Sequence, residues 1–159
     1  MLQGALNSER LRGEVSRYER NGQLKRQLTL TAPLRVLPAE QFSVEEFLPH
    51  VDEDLDALWS SLDLARNKVK SATLRAVLAL VFGDDEFRTR FERTPGSTKG
   101  HHAKIGGLLQ HTLEVARIAH ASAKSVRRAN EDLVVAGALL HDIGKVEAYS
   151  IENGGFSME

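Results

Sequence analysis

The chain has 159 residues, 42% hydrophobic and 27% charged, with a formal net charge of −1. This is ordinary globular usage, which excludes a disordered polyelectrolyte and a general polycation. No apolar run approaches the ~18 residues that a bilayer-spanning helix needs, the N-terminus lacks the charged-then-apolar order of a secretory leader, and the absence of cysteine excludes disulfides and thiolate metal sites. A cytoplasmic protein is expected.

Charge is unevenly spread. The first 35 residues carry Arg10, Arg12, Arg17, Arg20, Lys25, Arg26 and Arg35 against Glu9, Glu14 and Glu19. From Glu40 to Asp56 there are acids and no lysine or arginine. A basic front followed by an acidic segment suggests two structural units with different partners, or two solvated faces that differ. The expected division is a β hairpin over residues 1–40 and a helical domain over 41–159, a mainly α protein.

Residues 11 to 37 read as β. Gly13, Val15 and Arg17 alternate with polar or charged neighbours, and Leu24, Leu28 and Leu30 lie on the return strand. Asn21-Gly22 suits a type I′ turn, in which both central residues need positive φ. Pro33 and Pro38 end the ladder. Ser43 and Glu46 have capping-box spacing and predict a short helical turn to Leu48. Leu55, Leu58, Trp59 and Leu62 then recur at three and four residues, the period of an amphipathic helix. A second helix is expected to start at Asn67 or Ser71, to carry Leu74, Val77, Leu78 and Val81, and to stop at Gly83. Asp84 caps a third helix with Phe87 and Phe91. Pro95 to Gly100 is a loop by composition. A long helix is predicted from Gly107 to Arg128, with Leu108, Thr112, Val115, Ile118 and Ala119 inward, and a last one from Glu131 to Asp142, capped by Asn130.

Two polar clusters interrupt the apolar helical pattern. His111 shares a helical offset with Val115 and Ile118, so it points toward the core. His141-Asp142 follows the apolar run Val134 to Leu140, and a buried aspartate is costly unless it is paired or bound to metal. If the two helices pack together, two imidazoles and one carboxylate converge, a donor set that suits divalent transition metals. The bland alternative for His111 alone is a hydrogen-bonded core histidine. Lys145 follows Gly144, whose freedom to turn tightly would return the ammonium over the cluster as a phosphate contact; the alternative is a surface lysine. Gly106 and Gly107 open the ligand helix, and either offer free N–H groups to a phosphate or allow close packing. His102 is the better of the loop histidines for a substrate or acid role. His101, His120 and His50 carry no such signal. A nucleoside-triphosphate loop, a serine-hydrolase elbow and the zinc-peptidase helix motif are all absent.

The string from His101 to Thr112, HHAKIGGLLQHT, together with the later His141-Asp142 doublet, resembles the HD superfamily of metal-dependent phosphohydrolases. The fuller string is similar to the HD domain of the YhaM-like 3′–5′ exoribonucleases, which carry an OB-fold in front. The resemblance implies that His111, His141 and Asp142 bind a divalent ion (Mn, Mg, Zn, Co, Fe or Ni) and that Asp142 and Lys145 serve catalysis. Substrate contacts would come from His102, Lys145, Gly106, Gly107 and, on the OB-like hairpin, a base-stacking Tyr18. It also implies phosphodiester hydrolysis, foremost exonucleolytic trimming of RNA or single-stranded DNA from the 3′ end. The alternatives are a phosphohydrolase of free nucleotides and a non-catalytic binding module for nucleic acid or protein. The family closes its site with a distant aspartate, whereas only Glu147, Glu152 and Glu159 follow Asp142 here. One hairpin does not make a barrel either. Both ends therefore look cut, with the C-terminal part of the helical domain missing, as expected of a fragment of a longer protein or of a degenerate relative. The expectation is a weakly held ion and self-association through exposed apolar helix faces.

Overall fold

The computed structural model describes residues 9–10, 13–33, 35–36, 38, 41–152 and 155–158. It divides into two compact units, Met1–Phe47 and Leu48–Glu159.

In the first unit, β2 (Gly13–Arg20) pairs antiparallel with β3 (Gln23–Leu30) in a register running from Gly13↔Leu30 to Arg20↔Gln23. Two residues form the turn, Asn21 at φ 54° and Gly22 at φ 71°, the left-handed pair that a type I′ hairpin demands. A short ladder joins β1 (Glu9–Arg10) to β4 (Arg35–Val36). All residues of β2 and β3 are exposed. The pleat places Val15/Leu28 and Arg17/Arg26 on one face, and Tyr18/Lys25 and Arg20/Gln23 on the other. The turn expected after Ser43 is a 3₁₀ helix, Val44–Phe47.

The second unit is helical. Four of its helices start on a side chain that accepts a backbone N–H, which satisfies one of the orphan donors of a first turn. Asp54 caps α1 (Leu55–Asn67), Ser71 caps α2 (Ala72–Phe82), Asp84 caps α3 (Asp85–Arg93) and Asn130 caps α5 (Glu131–Leu140). Between the last two lies α4 (Gly107–Ser125), whose N-cap is Gly106 at φ 80°. A short α6 (Lys145–Ala148) leads into a hairpin of β5 (Tyr149–Glu152) and β6 (Gly155–Met158). Among the described residues, no helix is long and apolar enough to cross a membrane.

Leu62, Leu78, Phe82, Phe91, Leu108, Leu109 and Leu139 are completely buried in one cluster. Each contributes about 1.5–3 kcal/mol by leaving water. Phe91 meets Phe82 edge-on at 5.7 Å and Trp59 at 5.9 Å between ring centroids, while the Trp59 indole N–H donates to Glu92 at 2.9 Å.

Several sequence expectations need adjustment. Ile118 is 68% exposed and Val77 is exposed as well. The buried face of α4 is Leu108, Leu109, Thr112, Leu113, Ala116 and Ala123, rotated away from the stripe drawn through Ile118. In the second half of the helix, Ala116 and Ala123 rather than Ile118 face the core. The helix ends at Ser125 rather than Arg128, and α5 ends at Leu140 with His141 as its C-cap. The β5–β6 hairpin was not anticipated, because its strands are only four residues each.

Candidate metal centre

The tail of α5 and the first turns of α4 carry the cluster. His111 Nε2 lies 3.4 Å from His141 Nε2 and 3.4 Å from Asp142 Oδ2, and His141 Nε2 lies 3.1 Å from Asp142 Oδ2. Donors bound to one ion at about 2.0–2.1 Å in a tetrahedron stand about 3.3–3.4 Å apart. The three donor atoms therefore already have the spacing of one face of such a polyhedron. Their side chains are 20–33% exposed, so a solute can reach them. Among the described residues, no fourth histidine or carboxylate joins the group.

Two features keep the nitrogens available as ligands. His141 Nδ1 lies 2.8 Å from the Ala138 carbonyl oxygen. A carbonyl only accepts, so Nδ1 carries a proton, and in the neutral ring that leaves Nε2 as the lone-pair atom facing the cluster, the backbone support usual for a metal-binding histidine. His111 has its pKa pushed below the ordinary value, first by burial and further by the neighbouring His102, Lys145 and His141; Asp142 pulls the other way. The neutral, ligating form of His111 is thereby favoured.

Lys145 is inside the site. Its ammonium donates to Asp142 Oδ2 at 2.7 Å and to the Gly96 carbonyl at 2.7 Å, and it lies 5.8 Å from the Tyr149 ring centroid. Gly144 does not place it by a special turn. Its φ is −65°, ordinary helical backbone, and a Cβ there would meet nothing. Lys145 reaches Asp142 because the two are three apart in helical geometry.

His102 stands beside this group, its ring 5.2 Å from that of His111, with Nδ1 3.2 Å from Gln110 Oε1 and Nε2 3.2 Å from Glu114 Oε2. Gln110 in turn donates to Glu53 at 2.8 Å. Gln110 and Glu114 were not singled out in the sequence, although their i, i+4 spacing beside His111 places them on one helix face.

Gly106 and Gly107 serve packing. The Gly107 N–H donates to Lys104 O at 2.9 Å and the Leu108 N–H to Thr94 O at 3.1 Å, so neither amide is free for a phosphate. A Cβ at Gly106 would sit 2.6 Å from Val51 Cγ2, and one at Gly107 would overlap the His102 carbonyl oxygen. Tyr18 belongs to the first unit, where the residue is 37% exposed and pairs in register with Lys25. Of the acids after Asp142, Glu147 pairs with Arg90 at 2.7 Å; the Glu152 side chain and Glu159 lie outside the described residues. His120 pairs with Glu131 at 3.4 Å, away from the cluster.

Residues 108–157 match the HD domain family model. The chain is 30% identical over 137 residues to the 3′-5′ exoribonuclease YhaM of Listeria innocua, an alignment covering 86% of this chain and 42% of that protein. It is 27% identical over 138 residues to that of Bacillus subtilis, covering 87% and 42%. A Geobacillus YhaM is 38% identical over 61 residues, covering 38% of this chain and 19% of its own. The chain thus spans 42% of the length of the first two relatives. No solved structure matches it.

Proposed function

We propose that the chain, whose residues 108–157 match the HD domain model and which is similar over most of its length to the YhaM exoribonucleases, is a metal-dependent phosphohydrolase that shortens RNA from the 3′ end. The observation that carries this reading is the triangle of His111, His141 and Asp142, with donors 3.1–3.4 Å apart and with the His141 tautomer set by Ala138. These three side chains would hold the ion. When bound, a divalent cation supplies Lewis-acid polarisation of a phosphoryl oxygen and makes water a better nucleophile at neutral pH. Lys145 releases Asp142 and turns its ammonium toward a non-bridging phosphate oxygen. His102, held between Gln110 and Glu114, orients the ribose-phosphate end of the strand. In hydrolysis, the oxygen of water forms the new bond to phosphorus, and the ester oxygen that leaves takes up a proton. The basic hairpin, with Tyr18 exposed, contributes backbone attraction and base stacking. This reading places the protein in the cytoplasm with its RNA.

The test is a 5′-labelled single-stranded RNA oligomer incubated with the purified chain and Mn²⁺, Mg²⁺, Zn²⁺, Co²⁺ or Ni²⁺ in turn. The expected result is stepwise loss from the 3′ end with at least one ion, abolished by EDTA and by Asp142→Ala. An oligomer left intact with every ion would refute the reading.

A further inference from the structure

A second concave site lies in the helical unit. A groove of about 780 Å³ runs between α1, α4 and the start of α5, within the ~300–1,000 Å³ range of ligand pockets. Its floor is aliphatic, with Ala65, Val69, Leu113, Ala116 and Val135, of which Val69, Leu113 and Ala116 are buried. Lys68, Lys70, Arg117 and Lys124 stand around it. Among the described residues, none of these four has a carboxylate at ion-pair distance. The two acids at the rim are already engaged: Asp132 accepts the Lys70 and Ser71 backbone N–H groups at 2.9 and 2.7 Å, and Glu131 pairs with His120.

The groove is not an extension of the metal centre. At ~100° per residue, Leu113, Ala116, Arg117, His120 and Lys124 point on average roughly half a turn away from His111 on α4. One helix thus presents the cluster on one side and the groove on the other. α5 also spans the two, with Asp132 and Val135 at the groove and His141 at its C-cap.

We propose that this groove binds a nucleoside polyphosphate at a site separate from the metal centre. The aliphatic floor takes the base and sugar. The cations on α4 and beside α1 take the phosphates, whose several charges match several unpaired cations where a single carboxylate would neutralise one. Asn130 uses its side-chain oxygen to cap α5, which leaves its amide donors for a base edge.

The test uses adenosine triphosphate carrying a fluorescent group on the ribose, titrated into the whole chain in EDTA. Competitors are unlabelled adenosine triphosphate, adenosine, inorganic triphosphate and laurate. Saturable binding is expected, with adenosine and inorganic triphosphate each at least about tenfold weaker than the intact nucleotide. Arg117→Glu with Lys124→Glu should weaken binding at least about tenfold, the scale of losing one charge-assisted contact. Both residues are exposed, so an unchanged circular dichroism spectrum and melting point are expected. Lys68→Glu, on a different element, should act in the same direction, whereas His111→Ala with His141→Ala should leave affinity unchanged. The proposal is overturned by an absence of saturable binding up to millimolar probe. It is equally overturned if inorganic triphosphate competes as well as the nucleotide, since the floor then plays no part. Displacement foremost by laurate would make the occupant an acyl anion. Loss of binding in the histidine variant but not in the charge-reversal variants would place the probe at the metal centre.

Discussion

Lys145→Ala should tighten divalent-ion binding while it lowers turnover. The ammonium lies 2.7 Å from Asp142 Oδ2, and an ion bound to that oxygen lies about 2.0–2.2 Å from it. The two cations sharing the oxygen are therefore no more than about 5 Å apart unless Lys145 moves off, which breaks its ion pair. A single and a double charge at that distance repel by about 1.7 kcal/mol in a water-like dielectric, and by several times more in a protein-like one. The side chains are 25% and 20% exposed, so the lower figure is the appropriate floor. It corresponds to a gain of at least about tenfold in affinity. Lys145→Arg keeps the charge and should stay within about threefold of the parent. Competition against a chromophoric chelator at constant pH reads the affinity, and RNA turnover at saturating metal reads the other half. If Lys145 were chiefly a clamp between Asp142 and Gly96, its removal would loosen the ligand and weaken the ion. Equal or weaker binding by Lys145→Ala would therefore refute the electrostatic reasoning.

Three further outcomes are expected. Gly107→Ala should destabilise the helical unit by about 1–3 kcal/mol or more, since the new methyl group overlaps the His102 carbonyl oxygen; thermal melting checks it, and an unchanged midpoint would contradict the packing. The Asp132 carboxyl is held below its ordinary pKa, first by the Lys70 N–H and then by the Ser71 N–H. Its stabilisation is thus complete above the unfolded value of 3.8 and is lost as pH falls through the folded one. Asp132→Asn should be less stable than the parent near neutrality, with the two urea midpoints converging in strong acid; a constant gap across pH would remove the carboxylate from the account. Binding of single-stranded RNA should weaken steeply with salt and by about 1–3 kcal/mol in Tyr18→Ala, measured by fluorescence anisotropy; a salt-insensitive signal would exclude the hairpin from the contact.

The starts of α2, α3 and α5 were legible because each has a side-chain cap at the junction of a polar and an apolar stretch: Ser71, for which Asn67 was the alternative, Asp84 and Asn130. So was the Asn21-Gly22 hairpin, whose two left-handed residues are a local requirement. The Asp54 cap of α1 was not singled out, and the face of α4 was not legible. Ile118 is more apolar than Ala116, yet Ala116 is buried and Ile118 exposed, because close helix packing rewards small size at the contact. Within the site, His111, His141 and Asp142 stood out as polar residues at apolar positions. The partners of His102 did not, since Gln110 and Glu114 have the composition of an ordinary solvated helix face, and only the tertiary position of the 95–105 loop gives them a histidine to hold.

That loop also accounts for why the His101–Thr112 string carries so much information. His102 adopts a left-handed φ of 59°, uncommon for a residue with a side chain, and its carbonyl accepts the N–H groups of both Gly96 and Lys104 at 2.8 and 2.9 Å. Gly106, at φ 80°, turns the chain into α4 against Val51, and Gly107 lets the helix start directly under the His102 carbonyl. Larger residues at either glycine would push the loop off the helix. Lys145 then ties the same loop to Asp142 through the Gly96 carbonyl. The histidines and glycines of the string are thus one device. The backbone accommodations seat the loop, the loop seats His102 against His111, and the start of α4 sets the height at which His111 meets the doublet at the end of α5.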